Sequence, residues 1–275
     1  MNKIILITGA SSGIGYDAAK TLAAQGHRVY AAARRVELME PLKADGVVPL
    51  KMDVTDSASV GAAVREILET EGRIDVLVNN AGYGSLGAIE NVSLEEARRQ
   101  LDVNVFGLAQ LCRLVLPSMR EQGSGRIINI SSIAGKVVLP FCGWYHVSKY
   151  SVEALSDSLR MEVKPFGIDV VLFEPGGIKT DWGLIAADHL AESSKGTPYE
   201  ADGLREAATL RKAYSIRLMP EPSVVTKAIS KAVNRRRPRI RYRVGLGAGL
   251  LIFFHAILPD RWWDALLGKF SKIKF

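Results

Sequence analysis

Short apolar runs alternate with longer amphipathic stretches from the start of the chain to about residue 173. Lys3–Thr8, Arg28–Ala33, Val47–Met52, Ile74–Asn79, Arg126–Ser131 and Ile168–Phe173 have strand length and end at glycine, asparagine, serine or charged residues. Between them, alanine, leucine and valine recur at helical spacing over Ile14–Gln25, Ser57–Thr70, a long stretch from Ser93 through Asn104 to about Arg120, and a stretch from Tyr145 to about Lys164. Ser93 with Glu96 three residues on is an N-terminal capping pair, and Pro165 with Gly167 stops the last helix. Alternating strands and helices predict an α/β fold, a doubly wound parallel sheet of about seven strands with right-handed crossovers and helices on both faces. Ligands of such a sheet bind outside the carboxyl ends of its strands.

The regularity changes after Thr180. Residues Asp181 to Leu218 mix short helical pieces with Ser193–Pro198, and a long irregular insertion beside the ligand edge reads either as a mobile substrate lid or as a surface excursion. Pro222–Asn234 reads as a helix. From Arg237 to Val244 arginines alternate with other residues, so a last strand would carry an arginine face and an apolar face. Leu246–Leu258 is apolar and is followed by Trp262 and Trp263, but it is shorter than the roughly 20 residues a bilayer span takes. This end of the chain either packs on its own or a partner subunit near the substrate mouth, or lies on a membrane surface. The 275 residues therefore read as one domain, with 181–218 as lid and 245–275 as C-terminal extension.

Composition changes this picture little. A hydrophobic content of 48% suffices for one packed core, and no repeat or low-complexity segment interrupts it. Two cysteines, Cys112 and Cys142, form no disulfide framework and no metal spacing, which fits a reducing, cytoplasmic setting. The basic start followed by Ile4–Ile7 reads as a strand ended by a glycine turn rather than as a signal peptide. Much of the net charge of +7 sits in the arginines near the C-terminus, which lack the interleaved aromatics of a nucleic-acid surface apart from Tyr242.

The candidate chemistry falls at the carboxyl ends of the strands. Thr8-Gly9-Ala10-Ser11-Ser12-Gly13-Ile14-Gly15 joins the first strand to a helix, and a turn poor in β-carbons at a helix N-terminus suits a pyrophosphate. The second strand ends in Arg34-Arg35 with no acid before Glu37. In a dinucleotide fold that favours the 2′-phosphate of NADP over the ribose hydroxyl of NAD, while the plainer alternative is two solvated arginines. Asp53 ends the third strand, where it either bonds an adenine amino group or caps the next helix. Asn79 is placed to tie neighbouring strands through its amide, Asn80-Ala81-Gly82 lets the chain pass close to a cofactor, and Asn104 interrupts an apolar helix where a buried amide needs partners. Ser132 follows the fifth strand. Tyr145 and Lys149 lie four apart on one helix face, where an ammonium favours phenolate. Bringing a phenol from about 10 to about 7 takes roughly 4 kcal/mol, of which Lys149 supplies part.

Taken together, the glycine turn, Asn79-Asn80-Ala81-Gly82, Asn104, Ser132, Tyr145-x-x-x-Lys149 and Pro175-Gly176 resemble the ordered motifs of the classical short-chain dehydrogenase/reductase family over roughly residues 3 to 180. The resemblance implies a Rossmann-type fold and an oxidoreductase that interconverts a carbonyl and an alcohol. It implies Tyr145 as general acid/base, Ser132 on the substrate oxygen, Lys149 on the nicotinamide ribose and Asn104 in a proton relay. Gly9, Ser11, Ser12, Gly13, Ile14, Gly15, Arg34, Arg35, Asp53, Val54, Asn80, Ala81, Gly82, Pro175, Gly176, Ile178 and Thr180, with Tyr145 and Lys149, are then the expected cofactor contacts, and no metal is required. NADP(H) is favoured over NAD(H). Ser132, Tyr145, Phe141 and Cys142, beside Trp144 and the lid, are expected to meet the substrate. Lid and tail look similar to those of hydroxysteroid- and retinol-dehydrogenase-like members, which take bulky apolar substrates. The family resemblance also implies a homodimer or homotetramer built through the helices of Asn104 and Tyr145. A catalytically silent dinucleotide sensor is the competing reading; it would need only the glycine turn and Arg34, not the retained Ser132, Tyr145 and Lys149.

Overall fold

A computed structural model of the chain describes residues 2–216 and 219–271. Its strands are β1 (Ile4–Thr8), β2 (Arg28–Ala33), β3 (Val48–Lys51), β4 (Val76–Asn79), β5 (Gly125–Ile130), β6 (Ile168–Pro175) and β7 (Arg241–Val244). They form one parallel sheet in the order β3-β2-β1-β4-β5-β6-β7. The order reverses between β1 and β4, and the carboxyl edge beside that reversal is where a sheet of this kind binds its ligand.

Both faces of the sheet are buried, which is why its central strands are continuous apolar runs. Leu6, Leu77, Ile127, Val170 and Leu172 face one layer, built from α2 (Ser57–Glu71), α4 (Gly107–Glu121) and α5 (Gly143–Val163). Ile5, Ile7, Val78, Val171 and Phe173 face the other, built from α1 (Gly13–Ala24) and α8 (Ser223–Asn234). The chain between β2 and β3, with no element expected, forms a 3-10 helix over Val36–Asp45 that buries Met39 and Leu42. The strand expected from Ile74 begins at Val76, because the Asp75 carboxylate turns back to accept from Ile4 N at 2.7 Å.

Two departures from the sequence expectation bear on the site. The helix expected to run unbroken through Asn104 is α3 (Leu94–Leu101), then a π turn over Asp102–Phe106, then α4. The irregular insertion is instead two regular helices, α6 (Trp182–Ser194) and α7 (Glu200–Ser215), packed on one another, with Ser193–Pro198 as the corner between them. Leu218, its expected end, lies outside the described residues.

The last strand starts at Arg241 and shows the two faces its alternation predicts. Tyr242 stacks on Phe173 with ring centroids 4.8 Å apart. Arg241 and Arg243 turn to the opposite layer, where Arg243 Nε reaches the fully buried Glu174 at 2.9 Å. Both arginines are thus tied to buried acids, Arg243 with 48% of its side chain still exposed. Beyond β7, α9 (Ala248–Ile257) and α10 (Asp260–Ser271) fold back so that Ile252 and Trp263 cover Val137, with Ile133 and Leu139 beside them. Among the described residues no helix is long and apolar enough to cross a membrane; residues 272–275 of the expected extension lie outside the described ones.

Candidate active site

The glycine turn is shaped by what passes beneath it. Thr8 Oγ1 accepts from Asn80 N and Ala81 N, both at 3.0 Å, and Asn80 Nδ2 donates to Thr8 O (3.0 Å) and Gly9 O (3.1 Å). This clamp draws the β1 and β4 loops so close that a β-carbon on Gly9 would sit 2.7 Å from Ala81 Cα, and one on Gly15 2.6 Å from Gly9 O. Thr180 packs against Gly13, whose φ is +57°. Ser12 occupies the N-cap of α1 without a side-chain cap bond, and no acid lies in the first turn. A helix start with free N–H groups and a positive dipole end is a site for an anion, so the cradle fits a pyrophosphate.

Arg34 and Arg35 are exposed at the end of β2, and neither is paired with an acid among the described residues. Asp53 does not cap the next helix, one of the two alternatives the sequence left open. Its Oδ1 accepts from Thr55 N (3.0 Å) and Thr55 Oγ1 (2.8 Å), while Asp56 caps α2 by accepting from Ala58 N. Val54 packs against Gly107 of α4. Asn79 ties strands as its position suggests, donating to Asn129 Oδ1 at 2.9 Å, and Asn129 passes the link to Ser156 of α5. Gly176 N donates to Val244 O, and the Ile178 side chain is buried in the α1–α8 layer, so Pro175, Gly176 and Ile178 present mainly backbone at the carboxyl edge.

The same edge carries Asn104, Ser132, Tyr145 and Lys149. At the π turn the Asn104 amide brackets Tyr83, accepting from its N–H (3.0 Å) and donating to its carbonyl (2.9 Å), and it donates also to Ser148 Oγ. Ser132 Oγ accepts from Ala134 N at 3.1 Å and donates to Pro175 O at 3.4 Å, close enough to the Tyr145 phenol to act on its titration. Lys149 Nζ lies 5.8 Å from the centre of the Tyr145 ring and donates to Ile130 O at 2.9 Å. Gly82 passes over the pair, the position of an absent β-carbon lying 3.1 Å from Asn104 Oδ1 and 3.7 Å from Lys149 Nζ.

Burial sets the electrostatics. It pushes the Tyr145 phenol well above its ordinary value, with the nearby Ser132 hydroxyl pulling the other way and Tyr214 and Cys142 adding to the rise. This is opposite to the lowering expected from Lys149, because desolvation of the ring outweighs an ammonium that lies beyond hydrogen-bond reach. Burial also lowers Lys149 to about 8, against a smaller raising effect of Glu153, and holds the Cys142 thiol up at about 12.

Three residues that the sequence did not single out complete the site. Trp182, at the start of α6, lies over Tyr145 with centroids 5.0 Å apart, and Tyr214 of α7 lies 6.3 Å beyond it. Phe141 and Cys142 join this cluster with Leu86, Ala186 and Leu190; among the described residues Trp144 is not part of it, and its indole N–H is buried with no hydrogen-bond partner there. Phe141 is held at φ +61°, its carbonyl accepting from Gly87 N at 2.8 Å. His146, next to the tyrosine, is committed elsewhere. Its Nε2 accepts from Leu139 N and its Nδ1–H donates to Ala134 O, so it ties down the loop that presents Ser132. Adjacency to Tyr145 was the one signal for His146; aromatic contacts across elements left none for Trp182 or Tyr214. Among the described residues no three His, Cys, Asp or Glu side chains converge as metal ligands.

Comparison with known proteins places this geometry. The sequence pattern of the short chain dehydrogenase family matches residues 3–186. A 3-ketodihydrosphingosine reductase of Bacteroides thetaiotaomicron is 42% identical over 99% of both chains. A short-chain dehydrogenase from Streptomyces avermitilis superposes with a TM-score of 0.81 at 33% identity, over 99% of this chain and 97% of its own. A serine dehydrogenase complexed with NADP+ (TM-score 0.74, 27% identity, 86% and 92% covered) is also similar in structure. So is a short-chain dehydrogenase/reductase from Burkholderia phymatum in complex with NAD (TM-score 0.79, 26% identity, 97% and 95% covered).

A lysine whose folded value lies below its unfolded value of 10.5 lowers stability wherever it must be charged, and that loss is recovered as pH rises from about 8 to 10.5. Unfolding free energy should therefore rise by about 3 kcal/mol more in the wild type than in Lys149→Met between pH 7 and pH 10.5. Urea unfolding across that range checks this, and parallel pH dependences would contradict it.

Proposed function

We propose that this chain, which belongs to the short-chain dehydrogenase family, is an NADP(H)-dependent oxidoreductase that interconverts a carbonyl and an alcohol on a bulky, apolar, lipid-like substrate. The observation that carries the reading is the meeting of Tyr145, Ser132 and Lys149 beside the clamped glycine turn, at the carboxyl edge of the sheet. The uncapped start of α1 and the turn from Gly9 to Gly15 would hold the pyrophosphate, and the unpaired Arg34 and Arg35 would hold a 2′-phosphate. Asp53, Val54 and the backbone of Asn80–Gly82, Pro175–Gly176, Ile178 and Thr180 would line the remainder. A bound nicotinamide dinucleotide supplies or accepts the hydride.

The chain's own groups manage the proton. Tyr145 stands with its phenolic proton in place, because burial disfavours phenolate. It is therefore set to donate to an alkoxide oxygen, with the Ser132 hydroxyl as second donor. Lys149, charged below about pH 8, offsets the negative charge left on the phenol. Asn104 fixes the loop that crosses the pair and so keeps their separation constant. A phenol held protonated favours carbonyl reduction as the working direction, in keeping with a preference for NADPH.

The substrate class rests on what surrounds the tyrosine. Trp182, Tyr214, Phe141 and Cys142 give it an apolar roof, with α6–α7 as lid. The Bacteroides relative, 42% identical, is named for the reduction of a sphingoid ketone. Phe253 and Trp262 of the C-terminal hairpin are 57% and 68% exposed, with Leu250 and Ile257 also exposed, an apolar face suited to lipid contact. Phe106 of the π turn and Val147, Tyr150 and Met161 of α5 are exposed and suit a homo-oligomeric contact.

Tyr145→Phe should cut carbonyl reduction by about 10²–10⁴-fold and leave NADPH affinity unchanged; steady-state kinetics with fluorescence titration checks it, and undiminished turnover would remove Tyr145 from the mechanism. Arg34→Asp should move the NADPH/NADH ratio of kcat/KM toward NADH by about tenfold or more, and an unchanged ratio would place the phosphate elsewhere. In sedimentation with liposomes the full chain should pellet as an oligomer and Phe253→Asp should stay in the supernatant; a wild type that never pellets would contradict the lipid contact.

A further inference from the structure

Lys149 is 7% exposed, and the hydrogen bond it makes is to a neutral carbonyl, Ile130 O. A buried ammonium with only a neutral acceptor is unstable as a charge. One helical turn on, on the same face of α5, stands Glu153, itself 3% exposed. Gly135 fits between them, the position of its absent β-carbon lying 2.9 Å from both Glu153 Cγ and Lys149 O. Glu153 Oε2 is held from two sides, by Lys136 Nζ at 3.1 Å and by Arg241 Nη2 at 3.1 Å, while Oε1 makes no hydrogen bond among the described residues. Arg241 in turn pairs with Glu174 Oε1 at 3.1 Å and Asp157 Oδ2 at 2.5 Å, and Arg243 with Glu174. The carboxylate is thus fixed in a buried position by two cations, Lys136 just after the 3-10 turn Ile133–Gly135 and Arg241 of the edge strand β7.

From this arrangement we infer that Glu153 is a positioning residue, the buried counter-charge that keeps Lys149 protonated beside Tyr145, with Lys136 and Arg241 holding it in place. The inference rests on the dehydrogenase reading above for its kinetic consequence, though not for its electrostatic one. The charged and titratable groups around the pair are Tyr145 and Asp157 on α5, Lys136 on the 3-10 turn, Glu174 on β6, and Arg241 and Arg243 on β7. Of the carboxylates here, Glu153 is the one on the Lys149 face of α5; Lys136 and Arg241 grip it, while Asp157 and Glu174 are taken up by Arg241 and Arg243. The arginine-rich strand, which sequence alone leaves as a charged edge, becomes the outer wall of the catalytic charge arrangement.

Glu153→Gln keeps the shape and removes the charge. Its kcat/KM for NADPH-dependent carbonyl reduction should match the wild type within about threefold at pH 6.5 and fall about tenfold below it at pH 8.5, because the Lys149 ammonium is lost earlier. Glu153→Asp should keep the wild-type profile. An equal loss at both pH values, or a Glu153→Asp profile like that of Glu153→Gln, would overturn the inference in favour of a packing role. A second measurement needs no turnover. At pH 7 Glu153→Gln should raise the unfolding equilibrium constant about tenfold more in the wild type than in a Lys149→Met background; the same increase in both would overturn it. If the wild type reduces no carbonyl, the proposed function fails while the unfolding comparison still decides the role of Glu153.

Discussion

The charge on Lys149 has to be kept on a side chain that is 7% exposed, and much of the architecture around it serves that end. Its helix starts at the carboxyl edge, so Tyr145 and Lys149 lie at that edge while Glu153 reaches the ion pairs behind it. Taking an ammonium and a carboxylate out of water is costly, and the fold offsets that cost by satisfying the carboxylate from two other elements. Apolar strands alone would pack as well. The arginines of β7 are there because two acids, Glu153 and Glu174, are buried beneath that strand.

A second constraint is the close approach of the first and fourth strand loops. Thr8 and Asn80 spend their side chains on one another's backbone, and this leaves the glycine turn with a fixed shape and an open helix start. Positioning of the acid side of the site follows the same logic. Asn104 grips Tyr83, His146 grips Ala134 and Leu139, and the tyrosine and serine are thereby aligned by neighbours that are themselves anchored to backbone. Rigid first contacts resting on such supports are what proton transfer with a fixed geometry requires.

How much was legible in the chain depended on the period of the signal. Strands buried on both faces are unbroken apolar runs, so the sheet and the carboxyl-edge positions of Ser132, Asn80 and Arg34 were readable directly. The π turn at Asn104 was not, since one added residue leaves the apolar pattern of the flanking helices unchanged, and Pro41 among charged residues hid the 3-10 helix before β3. In the insertion, the Ser193–Pro198 corner outweighed the helical stretches on either side. The roof of Trp182 and Tyr214 and the sign of the burial effect on Tyr145 depend on which elements meet, and no local pattern carries that.

The most direct test of the account is titration of the purified protein with NADPH and NADH, followed by NADPH oxidation against sphingoid, steroid, retinoid, aromatic and short aliphatic ketones. The account predicts tighter binding of NADPH than of NADH and turnover concentrated in the long apolar ketones. Tight NADPH binding with no turnover of any ketone would contradict it and leave a dinucleotide-binding protein whose buried tyrosine transfers no proton.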